Sequence, residues 1–130
     1  MDGWLLEDYI TISGKPGAAG VYSIAQSSHK YMDVGDYEDL VFYLDVRNFS
    51  GGGGTLSVAY ETSPTREDST FLAMMAPVAL SQPGVVVTAA PWAIASAPAA
   101  RFVRWRLLAP LATGVWEATF RILVTAYSYA

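Results

Sequence analysis

Apolar residues along this chain recur at every second position, the period of a half-buried strand, and seldom at the three-to-four spacing of a helix. In DLVFYLDVRNF, residues Leu40, Phe42, Leu44 and Val46 fall on one face, and Val41, Tyr43, Asp45 and Arg47 on the other. TLSVAYET repeats the pattern, with Leu56, Val58 and Tyr60 inward and Thr55, Ser57 and Glu61 outward. These two strands flank NFSGGGG, which predicts a hairpin with Gly51 to Gly54 as its mobile tip. GVVVTAA reads as a short buried strand between Pro83 and Pro91. RFVRWRLLA places Val103, Trp105 and Leu107 on one side and Phe102, Arg104 and Arg106 on the other. VWEATFRILVTAY turns Trp116, Ala118, Phe120, Ile122, Val124 and Ala126 inward along one long strand, whose unbroken apolar side predicts a central position.

Shorter strands are predicted at Leu5 to Ile12, Val21 to Ala25, Lys30 to Val34 and Thr70 to Ala76. A single helical turn is predicted near Pro64 to Ser69, where Thr65 and Asp68 have the spacing of a capping box. About eight or nine strands with turn signals between them, and no helices to make parallel crossovers, predict an all-β fold: one antiparallel β-sandwich or jelly roll spanning residues 1–130.

One segment departs from the rest. From Ser69 to Ala100 there is no charged residue. Pro77, Pro83, Pro91 and Pro98 break that run, so it does not read as a membrane span. It is either covered on both sides inside the sandwich or a surface that packs on another subunit, where Ala89, Ala90, Ala93 and Ala95 would permit close approach. Only 15% of the chain is charged, against about 25% in ordinary soluble domains. A surface that neutral favours a covering partner. The candidate interface residues are Met74, Met75, Val78, Leu80, Pro91, Trp92 and Ile94, with Trp92 as the aromatic anchor.

Charge is also uneven. Residues 1–68 carry eleven acids against four bases, and residues 69–130 carry one acid against four bases. The late bases Arg101, Arg104, Arg106 and Arg121 form a candidate charged docking patch, with Arg104, Arg106 and Arg121 expected on two strands lying side by side. The competing reading is cross-strand pairing with Glu61, Glu117 or Asp45. A net charge of −4 opposes nucleic-acid binding.

Candidate chemistry is sparse. Cysteine is absent, which excludes disulfides and thiolate chemistry. His29 is the one imidazole, in SSHKY, and reads as a solvated loop residue rather than a general base. The glycine run lacks the lysine and helix of a phosphate-binding loop. The acidic segment DVGDYED offers Asp33, Asp36, Glu38 and Asp39 to sugar hydrolysis, and Asp33, Asp36 and Asp39 to calcium, but close spacing favours a solvated turn. The expectation is therefore no catalytic set, no cofactor and no resident metal.

The C-terminal third, PAARFVRWRLLAPLATGVWEATFRILVTAY, resembles the closing strands of discoidin-like, or galactose-binding-like, β-sandwiches. Arg101, Phe102, Val103 and Arg104 carry the resemblance, over about a quarter of the chain. Members of that family bind glycans or lipid headgroups through end loops or serve as passive modules, including in virions of tailed phages. Its motif strand is structural, so the resemblance transfers no ligand residue.

Two functions follow as expectations. The first is a non-enzymatic interaction module docking on copies of itself or on a capsid or tail assembly, as a phage capsid decoration protein or another virion structural protein would. The second is a carbohydrate-binding module, with Trp4, Tyr31, Tyr37 or Trp92 stacking on sugar rings. MDGWLLEDYI has no secretory signal pattern, which predicts a cytoplasmic protein until assembly into a virion.

Overall fold

The computed structural model describes residues 2–14, 23–50, 55–109 and 114–128. Alternation at the predicted places produces two antiparallel sheets packed face to face, a β-sandwich. The first sheet joins β1 (Asp2–Gly14), β10 (Trp116–Tyr127), β4 (Asp39–Ser50) and β8 (Gly84–Ala90), in that spatial order. The second is built on β9 (Phe102–Leu108) and β5 (Leu56–Ser63). Short strands β2 (Ser23–Ala25) and β3 (Met32–Asp33) pair with β9, whereas β6 (Leu72–Ala73) and β7 (Val78–Leu80) pair with β5. The described residues contain ten strands and no α-helix.

The inward faces are those the alternation selected. Leu40, Phe42, Leu44 and Val46 from β4 and the six alternate residues of β10 meet Leu56, Val58, Tyr60, Val103, Trp105 and Leu107 from the facing sheet, all buried. Two aromatic pairs span the layers: Phe42 stacks on Tyr60 with ring centroids 3.9 Å apart, and Trp105 meets Phe120 edge-on at 5.2 Å. β10 lies between β1 and β4, as its apolar side requires.

Five local expectations need correction. β4 and β5 do not form a hairpin: β4 pairs with β10 and β8 in one sheet, and β5 pairs with β9 in the other. The two strands therefore lie in different layers, and their inward faces meet across the core, Phe42 on Tyr60, rather than side by side in one sheet. Gly51 to Gly54, the expected tip, lie outside the described residues. β8 spans Gly84–Ala90 as expected, yet it is an edge strand with Val85 and Val87 more than half exposed, not a buried one. β9 and β10 lie in opposite sheets, so Arg104 and Arg106 are separated from Arg121 by the core. Residues 30–34 and 70–76 contribute only the two-residue strands β3 and β6, each preceded by a 3-10 turn, Ser28–Lys30 and Asp68–Thr70. The predicted capping box is absent: the second turn has no side-chain cap, and the Asp68 carboxylate accepts a bond from Arg104 instead.

Gly84 carries the entry into β8 with φ at +143°, a conformation that residues with a Cβ rarely adopt. Only residues 81–83 separate β7 from β8, so the chain passes directly from the edge of one sheet to the edge of the other.

Candidate functional site

That passage explains the uncharged run. Residues 69–100 are not a doubly covered core segment. They supply β6 and β7 along β5 and β8 along β4, and so make up one whole flank of the sandwich. Phe71, Met74, Leu80, Ala90 and Ala99 point into the protein and are buried. Leu72, Val85, Val87, Trp92 and Ile94 point out, with Ile94 73% and Trp92 50% exposed. The run thus presents large apolar side chains and contributes no charge of its own, although Asp45 lies opposite Val85 and Asp36, Glu38 and Arg101 adjoin Trp92.

The loop carrying Trp92 and Ile94 is held in place. The backbone N–H groups of Ile94 and Ala95 both donate to the Pro91 carbonyl, at 3.2 and 2.9 Å. Trp92 N–H donates to Asp39 Oδ1 at 2.7 Å, which ties the loop to the start of β4. Ser96 N–H donates to the Met74 carbonyl, and Met74 N–H to that of Tyr60, which ties it to β5. The exposed indole is therefore presented on a fixed support. Of the other candidate interface residues, Met74 and Leu80 are buried and belong to the core, and Met75, Val78 and Pro91 are half-buried beneath the flank.

The arginines are engaged within the chain. Arg104 is buried, donates from Nε to Glu61 at 2.8 Å and from Nη1 to Asp68 at 2.7 Å and to the Tyr31 hydroxyl at 2.8 Å, and lies 4.0 Å over the Phe71 ring. Burial disfavours its charge, but these bonds outweigh that and raise its pKa further. Arg106 shares Glu61 and reaches Ser23. Arg101 pairs with Asp33 at 3.3 Å. Arg121, on the outer face of the other sheet, pairs with Asp45 at 3.0 Å. Glu61 and Asp45 are thus the partners that cross-strand pairing predicts; Glu117 is absent from these pairs.

The acidic loop is likewise committed. Asp33 accepts from the Gly35 N–H, which with Arg101 holds its carboxyl below the usual value against a burial effect that pushes it up. Asp39 accepts from Trp92, and Asp36 is exposed on the turn between them. Among the described residues no three carboxylates or imidazoles are grouped to hold a metal ion. His29 is exposed on the first 3-10 turn.

Of the candidate sugar-stacking residues, Tyr31 lies apart from the others. Tyr31 is buried against Phe71 and Phe102 and serves Arg104. Trp4 packs edge-on against Tyr37 at 4.9 Å. Tyr37 and Trp92 line one shallow groove of about 440 Å³ together with Asp36, Glu38 and Arg101. Of the four aromatics, the fold thus brings Tyr37 and Trp92 to one groove.

The molecule is a β-sandwich, one flank of which is built from an uncharged, largely apolar run. In fold it is similar to a chain in the structure of infectious bursal disease virus, Gx strain, with a TM-score of 0.53 and 12% identity over 95% of this chain. This chain spans about a third, 32%, of that viral chain. A chain of the Bacillus endospore appendages, described as disulfide-linked pili, superposes with a TM-score of 0.46 and 11% identity, covering all of this chain and 93% of that one. No family model and no curated protein matches the sequence. These comparisons do not carry the discoidin-like resemblance of the C-terminal third. No helix among the described residues is long and apolar enough to cross a membrane.

Proposed function

We propose that this chain is a non-catalytic structural module that docks on other protein subunits, within a virion or a comparable assembly, through the flank formed by residues 69–100. The observation that carries this reading is the fixed presentation of the exposed Trp92 and Ile94 on a loop of a run that also exposes Val85 and Val87 and contributes no charge of its own. An exposed tryptophan on a hydrogen-bonded loop loses little freedom on docking, which is what makes such residues anchors. The fold likeness to a viral chain supports a virion setting, a capsid decoration role being its most specific form.

The test is binding by the full chain and by the Trp92→Ala, Ile94→Ser double variant, read by sedimentation velocity of the chain alone and by co-sedimentation with assembled particles. The double variant should stay folded and lose at least about tenfold in affinity, because its targets are solvent-exposed anchors. A chain that is monomeric at every concentration and binds no particle would overturn the reading.

A second reading is a carbohydrate-binding module of the discoidin-like type. The observation favouring it is the groove in which Tyr37 and Trp92 meet Asp36, Glu38 and Arg101. Quenching or shift of tryptophan fluorescence on titration with oligosaccharides, lost in Tyr37→Ala, would support it; no response across broad glycan classes would exclude it.

A further inference from the structure

We infer that the chain pairs with a second copy of itself through β8, joining two four-stranded sheets into one eight-stranded sheet across a two-fold axis. This rests on the docking role of the flank formed by residues 69–100 and names its first partner.

β8 hydrogen-bonds to β4 on one side, and among the described residues no strand pairs with its other side. Every second residue of Gly84–Ala90 therefore directs a backbone N–H and C=O outward, a row that an incoming strand can satisfy. Native edge strands are normally guarded by shortness, charge, proline or a bulge. β8 has seven residues, no charge and no internal proline, and runs without a register shift against β4.

The other edges are guarded. β1, at the opposite edge of the same sheet, carries Asp2, Glu7 and Asp8 and has two register shifts. The edges of the second sheet are strands of only two or three residues. Among the described edge strands, then, the one that matches β8 in length and neutrality is β8 itself. Antiparallel pairing with maximal overlap puts Val87 opposite Val87 of the second copy, Val85 opposite Ala89 and Val86 opposite Thr88. Val86, which faces inward but is 38% exposed at the open edge, would be covered by this pairing. A contact limited to one strand falls short of the roughly 1,200 Å² of stable interfaces, so a reversible, concentration-dependent dimer is expected.

The test uses the full chain, which has no cysteine. Val87→Cys should cross-link to a disulfide dimer on mild oxidation much faster than Ser13→Cys on β1. Val87→Lys and Val87→Glu, at a position more than half exposed, should each keep the native circular dichroism and weaken the dimer at least about tenfold, because like charges then face each other. An equimolar mixture of the two should restore it. Equal cross-linking at positions 87 and 13, or a mixture that stays monomeric while the unaltered chain dimerises, would overturn the β8 pairing and leave the docking flank standing. An unaltered chain that is monomeric throughout also overturns the pairing; the docking reading then stands or falls on particle binding by the Trp92 and Ile94 variant.

Discussion

Arg104 donates to Glu61 directly across the β5–β9 pair at 2.8 Å, and its side chain is almost wholly buried while that of Glu61 is 12% exposed. A charge taken that far from water is stable only because Glu61, Asp68 and the Tyr31 hydroxyl together satisfy it. Removing Arg104 empties the space over Phe71 and leaves the mostly buried Glu61 with Arg106 alone, whereas Asp68, 77% exposed, returns to water. Arg104→Ala should therefore cost about 3 kcal/mol in urea unfolding, the low end for a broken buried pair. Arg104→Met combined with Glu61→Leu should recover much of the loss seen in Arg104→Met alone. If the double variant is no more stable than that single one, the pair is not coupled as described.

Three carboxylates in ion pairs tie stability to acid. Asp68 is held below its ordinary value of 3.8 by the Arg104 hydrogen bond and charge. Burial pushes Asp45 up, but bonds from the Tyr9 hydroxyl and Arg121, with the Arg47 charge, bring it below 3.8. Asp33 is lowered by the Gly35 N–H and Arg101. A depressed carboxyl contributes stability that is complete above its unfolded pKa and is lost as pH falls through the folded one. The urea midpoint should thus lose this contribution only below about pH 4, and Asp68→Asn should make the acid loss shallower.

Tyr60 is buried on Phe42, and its hydroxyl has no hydrogen-bond partner among the described residues. Burial pushes its phenol well above the ordinary value of 10. Tyr60→Phe removes an unsatisfied polar atom and keeps the ring, so it should stabilise the chain by about 1 kcal/mol. A raised phenol pKa contributes stability below the unfolded value that is lost as pH rises towards the folded one. The variant should accordingly resist alkali above about pH 10 better than the unaltered chain. A fall in thermal midpoint would show that the hydroxyl is satisfied.

Gly14 closes β1 against Trp116, and a Cβ there would lie 2.5 Å from Cε2 and Cζ2 of the indole. Trp116 is buried and its ring cannot simply swing away. Gly14→Ala should cost about 1 to 3 kcal/mol, measured as a lower thermal midpoint; Gly3→Ala, where the nearest atoms are at 3.9 Å, is the control and should be close to neutral.

Much of the sandwich was legible because its strands are half-buried. A period of two names the inward residue at each step, and Leu40 to Val46, Leu56 to Tyr60 and Trp116 to Ala126 all fall as their alternation requires. Glu7 was not legible. Register shifts on either side of it in β1 leave both Leu6 and Glu7 buried. The bulged strand delivers its carboxylate to the Trp105 Nε1–H at 3.2 Å and to Lys30 at 2.8 Å. No spacing in the sequence marks that bulge.

The candidate site divides the same way. That residues 69–100 carry no charge is a property of the sequence, and so is the exclusion of thiol chemistry. Whether that run is core or surface is not, because GVVVTAA is apolar enough for either place. The choice was made by pairing: β4 lies beside β10 in one sheet and β5 beside β9 in the other, which left one flank for the uncharged run to close. Alternation fixes which way a side chain points relative to its own strand. It carries no information on which strand lies beside it, and the exposure of Val85, Val87 and Trp92 depends on that second quantity.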